Sequence, residues 1–320
     1  MSNKSELTLI IPFLNEGDEV YKTVKCFVES ADISIEIILI NDASTDNYNY
    51  KIIAEKFDAK YIEHKIRKGV AASRDEGVDM CQTEYFLLLD AHMRSYQTNW
   101  ASLIVNAIKS DKRSLLCCAT ACILYTDIEV VSYDNVGYGA YIDFSDLSVK
   151  WISEIGNTEK DILDIPCVLG ASYIGEKSYW QYLKGLSGLT SYGCDEQLIS
   201  MKVWLEGGKC KIIKNIIFGH LFREPKKFMP YVIESKEFLS NRLLLIELFL
   251  QHQQKIEFFK RIRKDFQYDL CQDALEILIE NKKDIVSQKQ SYENIFTKDI
   301  AFIIEKNNID KNPVVLSEIQ

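Results

Sequence analysis

Long apolar runs are missing from this 320-residue chain. The N-terminal stretch LTLIIPF gives way at once to Asn15 and Glu16, too short for a signal-peptide core, and LLLIELFL (243–250) is brief and broken by Glu247. No membrane span is expected, and the chain reads as cytoplasmic. A disulfide framework is absent too. The nine cysteines are an odd number without paired spacing, so packing thiols are expected, and the CxxxC of Cys118 and Cys122 on an apolar segment is weak evidence for zinc. No Gly-rich turn follows the first strand, where PFLNEGDEV offers Gly17 alone, and no GxxxxGK[ST] occurs anywhere. Dinucleotide sites and P-loops are thereby excluded. A basic surplus is also lacking, since the net charge is -9. Residues 226–320 are balanced at 15 charges of each sign, so the whole acidic excess lies in residues 1–225. That distribution argues against a nucleic-acid binder and suits a protein that recruits a divalent cation to hold an anionic substrate.

What is present is an α/β alternation. LTLIIPF (7–13), IEIILIND (35–42) and EYFLLLD (84–90) are short, β-branched and apolar throughout, as parallel strands covered on both faces need to be. Between the first two, DEVYKTVKCFVES places Val20, Val24, Phe27 and Val28 at helical spacing. A helix over 46–57, a short strand AKYIEH and a helix VAASRDEGVDMC continue the pattern, which predicts an open, mostly parallel sheet of order 3-2-1-4. Residues 115–175 read as mixed β and loop, 178–206 as helical and 231–306 as several amphipathic helices. A soft boundary near LFREPKKFMPY divides a unit over 1–230 from a helical extension over 231–320.

In such sheets ligands sit beyond the carboxyl ends of the strands, where the strand order reverses. The three ends meeting there carry Asn15 and Glu16, Asn41 and Asp42, and Asp90 and His92. Asp90 and His92, two residues apart, point the same way if the turn keeps the strand's period of two. A carboxylate and an imidazole with open positions for oxygen ligands suit Mn²⁺ better than a closed zinc site. The plainer alternative is that Asp90 caps the next helix and His92 packs.

The stretches IIPFLNE (10–16), NDASTDN (41–47) and LLLDAH (87–92) resemble the nucleotide-sugar domain of family 2 glycosyltransferases and their GT-A relatives. The DxH form, with GHLFR (219–223), resembles more specifically the polypeptide N-acetylgalactosaminyltransferases. IPCVLGASYIGEKSYWQYLKGL (165–186) and YGCDEQLISMKVWLEGGKCKII (192–213) fall between them in the same order as in that family. The resemblance covers roughly residues 7–250. It implies a GT-A fold, a Rossmann-like sheet flanked by helices, and transfer of a hexose or N-acetylhexosamine from a UDP-sugar to a hydroxyl acceptor on a protein, peptide or glycan.

Carried over by position, the resemblance makes His220 a third ligand beside Asp90 and His92 for Mn²⁺ or Mg²⁺. It makes Asp42 the acceptor for the uracil ring, with Pro12, Phe13, Asn15, Glu16 and Ala91 around the nucleotide and Arg74 at the family arginine. A turn aspartate and a solvated helix arginine are the plainer readings of Asp42 and Arg74. Arg223 would fold over the diphosphate, or else pair with Glu224, and Tyr231 corresponds to a loop tyrosine after a longer interval. On the acceptor side stand Asp195 and Glu196, which a helix dipole alone would also favour. Inverting family 2 enzymes use such a residue as general base. Retaining relatives carry Trp-Gly-Gly-Glu-Asn here, and this chain departs from it with Tyr192, Gly193, Cys194, Asp195 and Glu196. A nucleotide-sugar-binding protein or a nucleotidyltransferase on the same sheet is the rival, although the basic Gly-rich loop of the latter is missing.

Overall fold

The structure is a computed structural model that describes residues 5–124, 129–156, 158–222 and 231–308. The first half runs β1 (Leu7–Phe13), α1 (Asp18–Ser30), β2 (Ile35–Asn41), α2 (Lys51–Lys56), β3 (Lys60–Glu63), α3 (Val70–Met80), β4 (Tyr85–Leu89), β5 (Met93–Ser95) and α4 (Trp100–Ser110). It continues through β6 (Ser114–Leu124), β7 (Val130–Gly137), β8 (Ala140–Asp143), β9 (Ser148–Trp151), β10 (Ile162–Asp164), β11 (Ser172–Glu176), α5 (Lys177–Tyr182), α6 (Asp195–Glu206) and β12 (Lys209–Leu221). Five helices follow, α7 (Ser235–Phe249), α8 (His252–Asp265), α9 (Tyr268–Glu280), α10 (Lys282–Glu293) and α11 (Ile300–Asn307).

The main sheet has the order β10-β12-β6-β11-β4-β1-β2-β3, with β5 on β12 and β7 on β6. β1 lies parallel to both β2 and β4, and β2 to β3, which is the expected 3-2-1-4 order. β11 inserts antiparallel between β4 and β6. Strand residues alternate between two apolar layers. Leu7, Leu9, Ile11 and Phe13 of β1 join Val20, Val24 and Phe27 of α1 and Trp100 of α4, whereas Ile10 joins Val78 of α3, Leu198 of α6 and Leu239 of α7. Both faces are therefore covered, as the uninterrupted apolar strands require. Among the described residues no helix is long and apolar enough to cross a membrane.

Two helix expectations are revised. The helix expected over 46–57 begins only at Lys51, because Asn47 takes a left-handed φ of 59° and the Asp46 carboxylate accepts from the Tyr50 hydroxyl and from the Gly17 N–H (3.3 Å). Asp46 ties this loop to the β1–α1 turn instead of capping a helix. The helical stretch expected over 178–206 is split by a loop over 183–194, where Lys184, Gly185, Gly188, Ser191, Gly193 and Cys194 all have positive φ.

α3 lies so close to the sheet that a Cβ on Gly77 would stand 2.3 Å from Ile10 Cγ2 and 2.9 Å from Ile40 Cδ1. Gly77→Ala is therefore expected to destabilise the fold by about 1–3 kcal/mol through overpacking, despite the better helix propensity of alanine. Urea unfolding checks this, and a stabilised variant would contradict it.

Candidate active site

The loop after β4 is short because β5 begins at Met93 and pairs antiparallel with β12, placing His220 opposite Met93. Leu221 N–H donates to the His92 carbonyl at 3.0 Å. This register alone brings the second histidine beside DAH, more than a hundred residues after it in sequence. From the other side, Thr23 of α1 donates to the Ala91 carbonyl (2.8 Å) and accepts from Met93 N–H (3.1 Å), fixing the turn. One ligand atom from each of Asp90, His92 and His220 lies within 4.8 Å of the others. The imidazole rings are 4.8 Å apart, and His220 Nε2 is 3.4 Å from an Asp90 oxygen. Although burial opposes it, the His220 imidazole and the Arg74 guanidinium hold the Asp90 carboxyl down at about 2. Burial pushes His220 below the usual imidazole range, which favours the neutral ring that a metal needs. Among the described residues His220 Nδ1 is buried without a hydrogen-bond partner, and the contact of His92 Nδ1 is the Glu16 carboxylate at 3.3 Å. Two imidazoles and an ionised carboxylate with unspent lone pairs fit a divalent cation of the Mn²⁺ kind.

Arg74, the candidate arginine on α3, is buried, so the solvated reading is set aside. Its guanidinium donates to Asp195, to Asp90 (2.8 Å) and to the Gly170 carbonyl (3.0 Å), and lies 4.8 Å from the Tyr173 ring. One guanidinium thus joins the carboxylate at the end of β4 to the one that opens α6. Tyr173 adds a hydroxyl donor to the same Asp195 oxygen at 2.8 Å. Asp195 opens α6 behind Cys194, which is left-handed at φ 68°. Glu196 turns the other way and accepts from Gly170 N–H at 3.2 Å. A Cβ at Gly170 would stand 2.6 Å from that carboxyl, so only glycine admits the approach.

Burial, reinforced by the charge of Asp195, raises Glu196 to about 8. The unfolded chain releases this proton near the ordinary value of 4.5 and the folded protein near 8, so folding is linked to proton retention. Stability is then expected to fall as pH rises through that window. Glu196→Gln removes the titration and should flatten the decline between pH 4.5 and about 8, read as melting temperature by calorimetry. An equally steep decline in the variant would remove Glu196 as its source.

Asp42 sits at the end of β2, buried, and accepts from His64 Nδ1 (2.7 Å), Lys68 N–H (2.8 Å) and Gly69 N–H (2.9 Å). These bonds hold the 64–69 loop over the strand ends. Asn15 joins loops instead of facing the cavity. With φ at 56°, its N–H donates to Ser44 Oγ (2.9 Å) and its Oδ1 accepts from Thr45 N–H (2.6 Å). Glu16 is buried with its carboxylate 3.3 Å from His92 Nδ1. Arg223 lies outside the described residues.

A single cavity of about 600 Å³ brings the groups together. Pro12, Phe13, Glu16, Asp42, Arg74, Asp90, Ala91, His92, Asp195, Glu196, His220 and Tyr231 all line it. It also exposes Arg67 and Trp151, which no motif marked, and Phe222 of GHLFR. Trp151, at the end of β9, is 39% exposed and stands edge-on to Phe222 at 5.2 Å. Nothing in the flanking KWISEI sets this tryptophan apart from a core one. Tyr192 lines the cavity 6.3 Å from Tyr231, on a segment clamped by Asn241 of α7. Asn241 accepts from Thr190 N–H (2.9 Å) and donates to the carbonyls of Thr190 (2.7 Å), Tyr192 (3.2 Å) and Gly193 (3.1 Å). The first helix after residue 230 thus positions the loop that leads into α6.

The chain is similar to known proteins in sequence and in fold. Residues 8–158 match the family described as glycosyl transferase family 2. Human polypeptide N-acetylgalactosaminyltransferase 14 is 26% identical over 238 residues, 70% of this chain and 42% of that protein. A glycosyltransferase of Escherichia coli (strain K12), YibD, is 29% identical over 128 residues, 39% of this chain and 37% of its own. The chain thus spans under half the length of either. Among solved structures, that of GalNAc-T7 with UDP, GalNAc and Mn²⁺ superposes with a TM-score of 0.76 at 20% identity, covering 95% of this chain and 57% of the other. That of S. aureus TarS 1–349 in complex with UDP-GlcNAc gives 0.55 at 13% identity, covering 98% and 90%. The fold is the GT-A fold, and within it residues 8–158 carry the match to glycosyl transferase family 2.

Proposed function

We propose that this protein transfers a hexose or N-acetylhexosamine from a UDP-sugar to a hydroxyl group of a protein, peptide or glycan, with Mn²⁺ or Mg²⁺ held by Asp90, His92 and His220. The observation that carries this reading is the convergence of that triad and the Asp42 carboxylate on one cavity at the ends of β1, β2 and β4. A bound cation would supply Lewis-acid stabilisation for the charge that develops on the leaving diphosphate. Asp42 would accept the uracil N–H, with Pro12 and Phe13 beside the base. Arg74 would hold Asp90 and Asp195 in place, and Arg223 would reach the diphosphate. The relative solved with UDP, GalNAc and Mn²⁺ supports both donor and metal. Residues 1–230 would form the catalytic unit and residues 231–320 a helical extension built against it.

Neither carboxyl at the start of α6 is furnished as a free base. Asp195 is engaged by Arg74 and Tyr173, and Glu196 holds its proton to about 8. This supports transfer on the donor's own face, with retention, over in-line inversion. NMR of the product's anomeric centre decides it, and an inverted product would return the base role to this pair.

The direct test incubates the protein with a panel of UDP-sugars, with and without Mn²⁺, and follows UDP release. Metal-dependent hydrolysis or transfer is expected with at least one donor. Tight UDP binding with no turnover on any donor would favour a binding protein instead.

A further inference from the structure

Asp42 does not stand alone at the nucleotide end of the cavity. His64, just past β3, has a side chain only 3% exposed and is held between two carboxylates. Its Nδ1 is 2.7 Å from Asp42 Oδ1 and its Nε2 is 2.9 Å from Glu76 Oε2. Each ring nitrogen thus lies within hydrogen-bond reach of one carboxylate. The charged groups facing the ring are Asp42 at the end of β2 and Glu76 on α3, and Lys68 of the connecting loop reaches the same Glu76 oxygen at 2.7 Å. Lys68 and His64 together hold Glu76 below the usual carboxylate range against the effect of burial, so Glu76 stays an acceptor. A carboxylate offers about four acceptor positions. At Asp42 three are taken, by His64, Lys68 N–H and Gly69 N–H, leaving one on Oδ2 for a ligand.

We infer that the Glu76–His64–Asp42 chain is the specificity device of the base subsite, with His64 a positioning residue that fixes the Asp42 carboxylate and aims its remaining lone pair at a donor N–H on a pyrimidine ring. This rests on the donor reading above and adds a discrimination to it. A base presenting an N–H at its ring position 3, as uracil does, satisfies that lone pair, whereas cytosine presents a lone pair there and meets Asp42 acceptor to acceptor. Without His64, the Asp42 carboxylate is free to rotate, and its remaining lone pair is no longer aimed at a ring N–H.

Titration calorimetry of UDP and CDP in the presence of Mn²⁺ tests this on three proteins. Wild type is expected to prefer UDP by at least about tenfold, the value of one well-placed hydrogen bond against an unpaired acceptor. His64→Gln, whose amide reaches toward Glu76, should lose most of that preference. His64→Asn, whose amide nitrogen falls near the original Nδ1, should keep most of it. Equal loss in both variants, or an unchanged preference in His64→Gln, overturns the inference while leaving the donor reading intact. Failure of wild type to bind UDP overturns both. Because His64→Gln is a core substitution, a measurement on wild type labelled with ¹⁵N-histidine stands beside it. UDP should shift the His64 ring resonances more than CDP does, and identical responses to the two nucleotides would also overturn the assignment.

Discussion

His220→Ala is expected to lower metal-dependent turnover about a thousandfold while shifting the unfolding free energy by only about 1 kcal/mol or less. The two effects separate because of what the ring does in the fold. It is buried on β12, yet its Nδ1 has no partner there, so the protein bears a desolvation cost that the fold alone does not repay. Removing the ring removes that cost together with some packing against Phe222 at 4.1 Å, and Asp90 keeps its bond to Arg74. Metal affinity has no such compensation, since two ligands remain where three stood within 4.8 Å. Mn²⁺ at about a hundred times its dissociation constant should stabilise wild type by about 2.7 kcal/mol and the variant far less. Thermal melts with and without Mn²⁺ read this without reference to turnover. Equal Mn²⁺-induced shifts in both proteins would end the three-ligand assignment.

The sheet was legible because its signals are local. LTLIIPF, IEIILIN and YFLLL have no polar interruption, and each became a strand buried between two helical layers. Asp90 and His92 stood out for the same reason, as polar residues ending an apolar run. His220 has no such signature. IIFGHLF is a strand like any other, and what ties it to DAH is the pairing of β5 with β12 across a hundred residues, visible in sequence only through the family resemblance. The breaks in helix placement also came from tertiary contacts. A tyrosine hydroxyl on Asp46 shortened α2, and the positive-φ turns between α5 and α6 are held by distant groups such as Asn241. His64 and Trp151 escaped notice because residue type and spacing alone do not separate a working histidine or tryptophan from a packed one. Asp42 was noticed as a strand-end carboxylate, but its partner on β3 and the acid beyond on α3 become adjacent only once the parallel register Asn41 to Glu63 is set.

Arg74→Met is expected to cost about 3–5 kcal/mol of folding stability, a large share of the about 5–15 kcal/mol that holds a typical domain together. Methionine replaces the length of the side chain but not its charge. Asp195, Glu196 and Asp90 would then share one end of the cavity without their common cation, and the Gly170 carbonyl would lose a donor. A well-packed neutral substitute repays the burial of an ion pair only when both partners go, and here the acids remain. Arg74→Met with Asp195→Asn should therefore recover part of the loss, giving a coupling of about 1–3 kcal/mol in a double-mutant cycle by urea unfolding. Additive losses would show that Arg74 acts by packing on Tyr173 and not by charge. The pH dependence has a definite sign. Arg74 is among the groups that hold Asp90 at about 2 in the folded protein, against an ordinary value of 3.8. That stabilisation is present above pH 3.8 and is lost as pH falls toward 2, so wild type and variant should converge in acid and stand furthest apart near neutrality. Mn²⁺ should narrow the neutral gap as well, because the cation returns a positive charge to Asp90 although it cannot reach across to Asp195 as the guanidinium does.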